Sequence, residues 1–168
     1  MIKKYVLTLL VVIGQFLLIE PVFAAKTNTG DLVNLVCFVR FADEADNEVF
    51  ANNYSVYEQM FNNESEGANS VFNYFKRSSY GQLRWRSVFF PAPQGEKVVS
   101  MQTQYERGFY MKYSSISAPS GYKTDIEKAA RLQALSKEIA GYLNTHFPGD
   151  KQLDGDDDGF VDNLCVIF

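Results

Sequence analysis

The chain has 168 residues, 46% of them hydrophobic and 15% aromatic, which is material for one domain with its own core rather than for a disordered segment. Charged residues make up 21% and the formal net charge is −4. Lys and Arg are scattered singly or in pairs without a basic patch, which excludes nucleic acid as a partner.

The chain opens as a secretory signal reads. Lys3 and Lys4 form the positive start, Tyr5 to Ile19 is apolar apart from Gly14 and Gln15, and Val22-Phe23-Ala24 puts small residues where cleavage needs them. The apolar run is shorter than the roughly 20 residues of a bilayer span, although a retained anchor is the alternative. The expected organisation is a signal over 1–24, a flexible leader over 25–31 and a domain over 32–168. The expected location is secreted or cell-surface, with no membrane as a partner once the signal is removed.

Leu32 to Phe41 is β-branched and aromatic with almost no polar break, the pattern of a strand covered on both faces. Ala42-Asp43-Glu44 starts an acidic loop. Ser55 to Phe61 reads as a short helix and Asn62 to Asn69 as a polar turn. A second helix follows with Asn69 or Ser70 as N-cap, reaching about Ser78, with Tyr80-Gly81 past its end. Gln82 to Phe90 is a strand that sets Leu83, Trp85 and Phe89 on one face and Arg84 and Arg86 on the other. Pro91 and Pro93 stop it. The aromatic residues Phe72, Tyr74, Phe75, Tyr80, Trp85, Phe89 and Phe90 are read as core, because their spacing matches these helix and strand faces.

Glu96 to Tyr122 is rich in Tyr, Ser and Gly and reads as irregular, with a strand at Lys97 to Met101. The clearest helix runs from Asp125 to about Asn144. Thr124 and Glu127 make a capping box, and Leu132, Leu135, Ile139, Tyr142 and Leu143 make one apolar face. Pro148-Gly149 lies past its end. Leu164 to Phe168 has a strand pattern with no polar tail after it, which leads to the expectation that the domain continues beyond this chain. Cys37 and Cys165 both sit in strand patterns. They are either two buried thiols or, in an exported protein, a disulfide.

The sharpest chemical feature is Asp154-Gly155-Asp156-Asp157-Asp158-Gly159-Phe160-Val161-Asp162. Carboxylates at alternate positions before a glycine can wrap one hard cation. Asp154, Asp156 and Asp158 would supply carboxylates, Phe160 its backbone carbonyl, and Asp162 a contact through water, as in the first half of a calcium loop. The twelfth position, a bidentate Glu in a complete loop, is Cys165 here. The alternative is a solvated acidic turn, although six aspartates around one Lys151 would repel without a counter-ion. His146 is the chain's single histidine. Alone it builds neither a catalytic zinc site nor a Ser-His-Asp arrangement, and no Gly-x-Ser-x-Gly or phosphate-cradling glycine loop is present.

Three stretches taken in order resemble the immune inhibitor A-type family of secreted zinc metallopeptidases. They are Asn34 to Asp43, Ser70 to Leu83 with its Ser-Tyr-Gly-x-Leu turn, and Asp154 to Phe168. The resemblance implies an α/β (α+β) zincin-like peptidase domain, incomplete here, with a mixed, twisted sheet and helices packed on it. In that family the strand matching Leu164–Phe168 leads toward a His-Glu-x-x-His helix that binds zinc and supplies a general base. No such motif occurs in this sequence, so no catalytic residue carries over. The expectation is an exported fragment of a peptide-hydrolysing protein. Its full-length form would bind zinc and a protein or peptide substrate, and the fragment itself would be inactive. The alternative is a non-catalytic exported domain that binds calcium, or a partner through Tyr105 to Tyr122.

Overall fold

A computed structural model describes residues 29–46, 49–50, 53–149, 153–155, 157 and 159–168. The signal expected over 1–24 lies outside the described residues, as do Asp156 and Asp158 of the acidic loop.

The elements in chain order are β1 (Gly30–Arg40), α1 (Tyr54–Asn62), α2 (Val71–Ser78), β2 (Leu83–Phe89), β3 (Met101–Gln102), a 3-10 turn (Arg107–Tyr110), α3 (Asp125–His146) and β4 (Asn163–Ile167). β1 is the hub and pairs in parallel with the other three strands. Gly30–Val36 lie opposite Leu83–Phe89, Asn34–Phe38 opposite Asn163–Ile167, and Val39–Arg40 opposite Met101–Gln102. The Val36 carbonyl accepts from Phe90 N and the Arg40 carbonyl from Thr103 N. Carbonyls four residues apart on a strand face the same edge. β3 therefore continues the edge that β2 leaves, and β4 occupies the other.

The sheet was expected to be mixed. Among the described residues every pairing between named strands is parallel, and antiparallel contacts are isolated bridges such as Gln94–Lys97. The reason lies in the connections. Helices or long excursions separate the strands, and a crossover of that kind returns the chain in its original direction.

Alternation along β1 sends its side chains to two cores. Leu35, Cys37 and Val39 pack with Phe90, Met101 and α3's Leu135, Ile139 and Leu143. Val36 and Phe38 pack with Phe50, Phe89 and Val98, and α1's Tyr54, Tyr57 and Phe61 close over them. Removing each such side chain from water contributes about 1.5–3 kcal/mol, so this one strand anchors both layers. α2 covers β2, with Phe75 stacked on Trp85 at 4.3 Å.

The caps follow the sequence. Ser70 Oγ accepts from Asn73 N at 3.1 Å, which makes Ser70 the N-cap of α2. Thr124 Oγ1 accepts from Glu127 N, and Glu127 reaches back to Lys123 N. Other expectations are corrected. Tyr74 and Tyr80 are 62% and 93% exposed rather than core, because α2 has a single covered side and Tyr80 sits in the left-handed region past its end. Leu132 is 42% exposed, because it lies before Leu135, Ile139 and Leu143, the α3 residues that pack on the sheet. The strand expected at Lys97–Met101 shrinks to Met101–Gln102.

One polar row crosses the sheet. Asn163, Asn34 and Ser87 are in register. Asn163 Nδ2 donates to Asn34 Oδ1 at 2.6 Å, and Asn34 Nδ2 donates to Ser87 Oγ at 3.0 Å. Asn62 of α1 then takes both backbone groups of Ser87, at 2.8 and 2.9 Å. The row satisfies buried amides and blunts the outer edge of β2 at that point.

Candidate functional site

The acidic loop joins α3 to β4 and lies against the beginning of β1. Its frame is made of backbone amides held by carboxylates. Asp162 Oδ2 accepts from Val33 N at 2.6 Å and from Gly155 N at 2.9 Å. Asp162 N donates to Leu153 O at 3.0 Å, which closes the loop at its mouth. Inside it, Gly159 N donates to Asp154 Oδ2 at 2.7 Å. Asp157 and Gly159 take positive φ of 62° and 88°, the left-handed region that glycine adopts freely and aspartate tolerates. Gly155 is held against β1, and a Cβ on it would collide with the Asp31 carbonyl.

Of the expected ligands, Asp154 and Asp162 turn carboxylate oxygens onto the loop's own amides. Phe160 presents its ring outward, 76% exposed. Asp156 and Asp158 fall outside the described residues. Among the described residues no three His, Cys, Asp or Glu side chains gather as a metal would need. The sequence pattern revealed the loop but not that Asp162 reaches Val33, 129 residues away in the chain.

Ligands of parallel α/β sheets usually bind beyond the carboxyl ends of the strands. Here that end is filled by neutralised charges. Arg40 Nη1 lies 3.1 Å from Asp46 and donates to Ser100 O at 2.8 Å. Lys97 Nζ lies 2.6 Å from Asp46, and Arg107 Nη2 lies 2.6 Å from Glu44. Arg107 also covers the Phe41 ring at 4.5 Å, and Phe41 stacks on Phe168 at 5.4 Å. The hydrogen bond from Lys97, with the charges of Arg40 and Lys97, holds the Asp46 carboxyl below the usual carboxylate range. A carboxylate so paired is a poor general base. Nothing in the spacing of Arg40, Asp46, Lys97 and Ser100 announces this cluster, since β3 and the Gln94–Lys97 turn bring it together.

His146 sits in the last turn of α3, exposed, with Nδ1 2.9 Å from Tyr142 O and its ring stacked on Tyr142 at 4.5 Å. The two cysteines are free thiols. Cys37 points into the α3 core and Cys165 toward the α1 core, so the sheet itself separates them and a disulfide cannot form. Burial pushes the Cys37 thiol up to about 11 and also raises Cys165, which leaves both poor nucleophiles at neutral pH. A groove of about 410 Å³ between α3 and the acidic loop is lined by Leu35, Leu143, Phe147, Leu153, Val161 and Leu164 with few polar groups, so it offers no acid or base.

No family model, no curated protein and no solved structure matches this chain.

Proposed function

We propose that the chain is an exported unit built like the front part of a secreted zinc metallopeptidase domain of the immune inhibitor A type, and that by itself it does not hydrolyse peptide bonds. What supports the reading is how the three resembling stretches, far apart in sequence, adjoin in space. The first is β1. The second is α2 with the turn into β2, which pairs with β1 along its first half. The third is the acidic loop and β4, which pairs with β1 on the opposite edge and ties to it through Asp162 and Val33.

The lack of activity follows from the supply of ligands. A hydrolytic zinc centre takes three protein donors and an activated water. The chain has one histidine, two separated thiols and, at the carboxyl end of the sheet, carboxylates already paired with cations. In proteins of the family this chain resembles, zinc and a peptide substrate would be held at His-Glu-x-x-His, a motif this sequence does not contain. The test is a quenched-peptide assay on the purified chain with zinc and calcium present. Turnover at background level is expected, and clear, chelator-sensitive turnover overturns the reading. Reading the coding frame past Phe168 tests the kinship, since His-Glu-x-x-His in that frame supports it.

A second reading is a non-catalytic exported domain that binds calcium. One observation favours it. Asp154 Oδ2 accepts from Gly159 N, which links the first and sixth positions of the calcium-loop pattern. A rise in melting temperature with calcium but not magnesium supports this reading, and no response to calcium removes it.

A further inference from the structure

The two sides of the sheet end differently. β2 carries Arg84 and Arg86, and Asn62 takes both backbone groups of Ser87 at its outer edge. β4 has no such protection. Asn163–Ile167 holds no charge, no proline and no glycine, and among the described residues β1 is its one neighbour in the sheet. Edge strands are ordinarily blunted by charge, proline, a bulge or a cover, because bare amides and carbonyls recruit a further strand.

The outward groups of β4 follow from the pairing of β1. The Val36 carbonyl accepts from Phe90 N, so even-numbered residues of β1 turn toward β2, and Leu35 and Cys37 turn toward β4. In a parallel ladder those two residues bond Asn163, Cys165 and Ile167. Leu164 and Val166 therefore point their amides and carbonyls away from the sheet. Their side chains lie on the α3 face. Val166 packs against the α3 core, and Leu164 lines the groove of about 410 Å³ with Leu35, Leu143, Phe147, Leu153 and Val161. Leu164 is 42% exposed and Val161 52%, so the groove is open along β4. Residues directly opposite in an antiparallel pair share a face. A strand added to β4 would thus set every second side chain along this groove.

Charge sits at one end of this surface. Leu153 and Val161 bracket the acidic loop, and residues 150–162 hold six aspartates against Lys151, five negative charges in excess where the whole chain has −4. The bonds from Val33 and Gly155 to Asp162 leave its charge in place. Asp31, where Gly155 rests on β1, is paired with Arg84, so that pair offsets none of the excess. The groove itself is lined by uncharged residues. We infer that β4 and the groove take an extended peptide segment, apolar at alternate positions and basic at its C-terminal end, added antiparallel to β4. Main-chain bonds to Leu164 and Val166 hold it, its apolar side chains fill the groove, and its cations meet the loop at the start of β4. The direction follows from the greater stability of antiparallel pairs and from the loop's place just before β4. A second copy of the chain fits less well, because β4 brings no cation and its own loop adds negative charge. The inference does not rest on the peptidase reading.

The test is fluorescence anisotropy of labelled peptides titrated with the full chain, in EDTA so that no divalent cation neutralises the loop. The peptide Val-Thr-Val-Thr-Val-Lys-Lys is expected to bind saturably, and more weakly as salt rises. Lys-Lys-Val-Thr-Val-Thr-Val sets its cations at the wrong end and is expected to bind at least about tenfold more weakly. Methylating the valine amides of the first peptide removes the ladder donors and is expected to cost about as much. Val161→Lys puts a cation at the groove and is expected to weaken binding at least about tenfold at an unchanged melting temperature. Equal binding of the two lysine orders overturns the proposal, since charge alone would then act. Absence of binding overturns it too, as does a Val161→Lys chain that binds like the parent. A parent that sediments as a dimer and ignores the peptides overturns it in favour of a second copy on β4.

Discussion

Asp46 stands between two cations, 2.6 Å from Lys97 Nζ and 3.1 Å from Arg40 Nη1, and the three residues come from different loops and a strand end. Its carboxyl is held below its ordinary value of 3.8, chiefly by the Lys97 hydrogen bond. The sign of the linkage follows. A group whose folded pKa is depressed stabilises the native state above its unfolded pKa, and that contribution is lost as pH falls through the folded value. Asp46 is partly exposed, so solvent screens part of the effect. Asp46→Asn is therefore expected to melt below the parent at about pH 7, with the gap closing as acid protonates the parent's carboxyl. Parallel melting curves at every pH would show that the pairing adds nothing. The sequence contained each of these residues but no sign of their meeting, because Arg40 and Lys97 share the Asp46 carboxylate only through the way the chain returns to β3.

At the scale of elements, α3 separates two kinds of apolar residue that look alike in sequence. Leu132 and Ile139 share a helical stripe, yet Ile139 is 4% exposed and Leu132 is 42% exposed. The difference is where the helix lies over the sheet. Leu135, Ile139 and Leu143 pack on Leu35, Cys37 and Val39 of β1, while Arg131, nearer the start of the helix, donates to the Phe109 and Ser120 carbonyls. Ile139→Ala should cost about 2–4 kcal/mol in urea denaturation, through lost burial and the cavity left behind. Leu132→Ala should stay within about 0.5 kcal/mol, as surface substitutions do. Equal costs would mean that the whole stripe is core. The caps of α2 and α3 were legible because Ser70, Thr124 and Glu127 act within one turn of their own helix. β3 was not, since two residues hold no periodicity and pair only because β1 continues past the end of β2.

For the whole molecule, closure depends on joining the last strand to the first. β4 returns to β1 after a separation of about 129 residues, and Asp162 marks the junction by taking the amides of Val33 and Gly155 on one oxygen. Hydrogen bonds to a charged acceptor contribute about 1.5–3 kcal/mol, and losing the acceptor strands both donors. Asp162→Ala is thus expected to destabilise the chain by about 2–4 kcal/mol with no metal present, read as a fall in the urea midpoint at unchanged slope. Parent-like stability would reduce the loop to a solvated acidic turn. The expectation of a metal loop gave Asp162 a ligand's role, whereas in the structure it accepts from the amides of Val33 and Gly155. Its structural work went unseen because a ligand pattern is read along the chain and the Val33 amide lies at the other end of it.

Local order alone determined much of this protein. The apolar run of β1, the alternation of β2 and the caps of α2 and α3 each act within a few residues, so the sequence carries them. The tertiary structure decided which ends of those elements are covered. It made the sheet parallel, set Cys37 and Cys165 on opposite faces, and buried Ile139 while exposing Leu132. These outcomes depend on contacts between residues tens to more than a hundred positions apart, and no periodicity within a single stretch encodes what another stretch will cover.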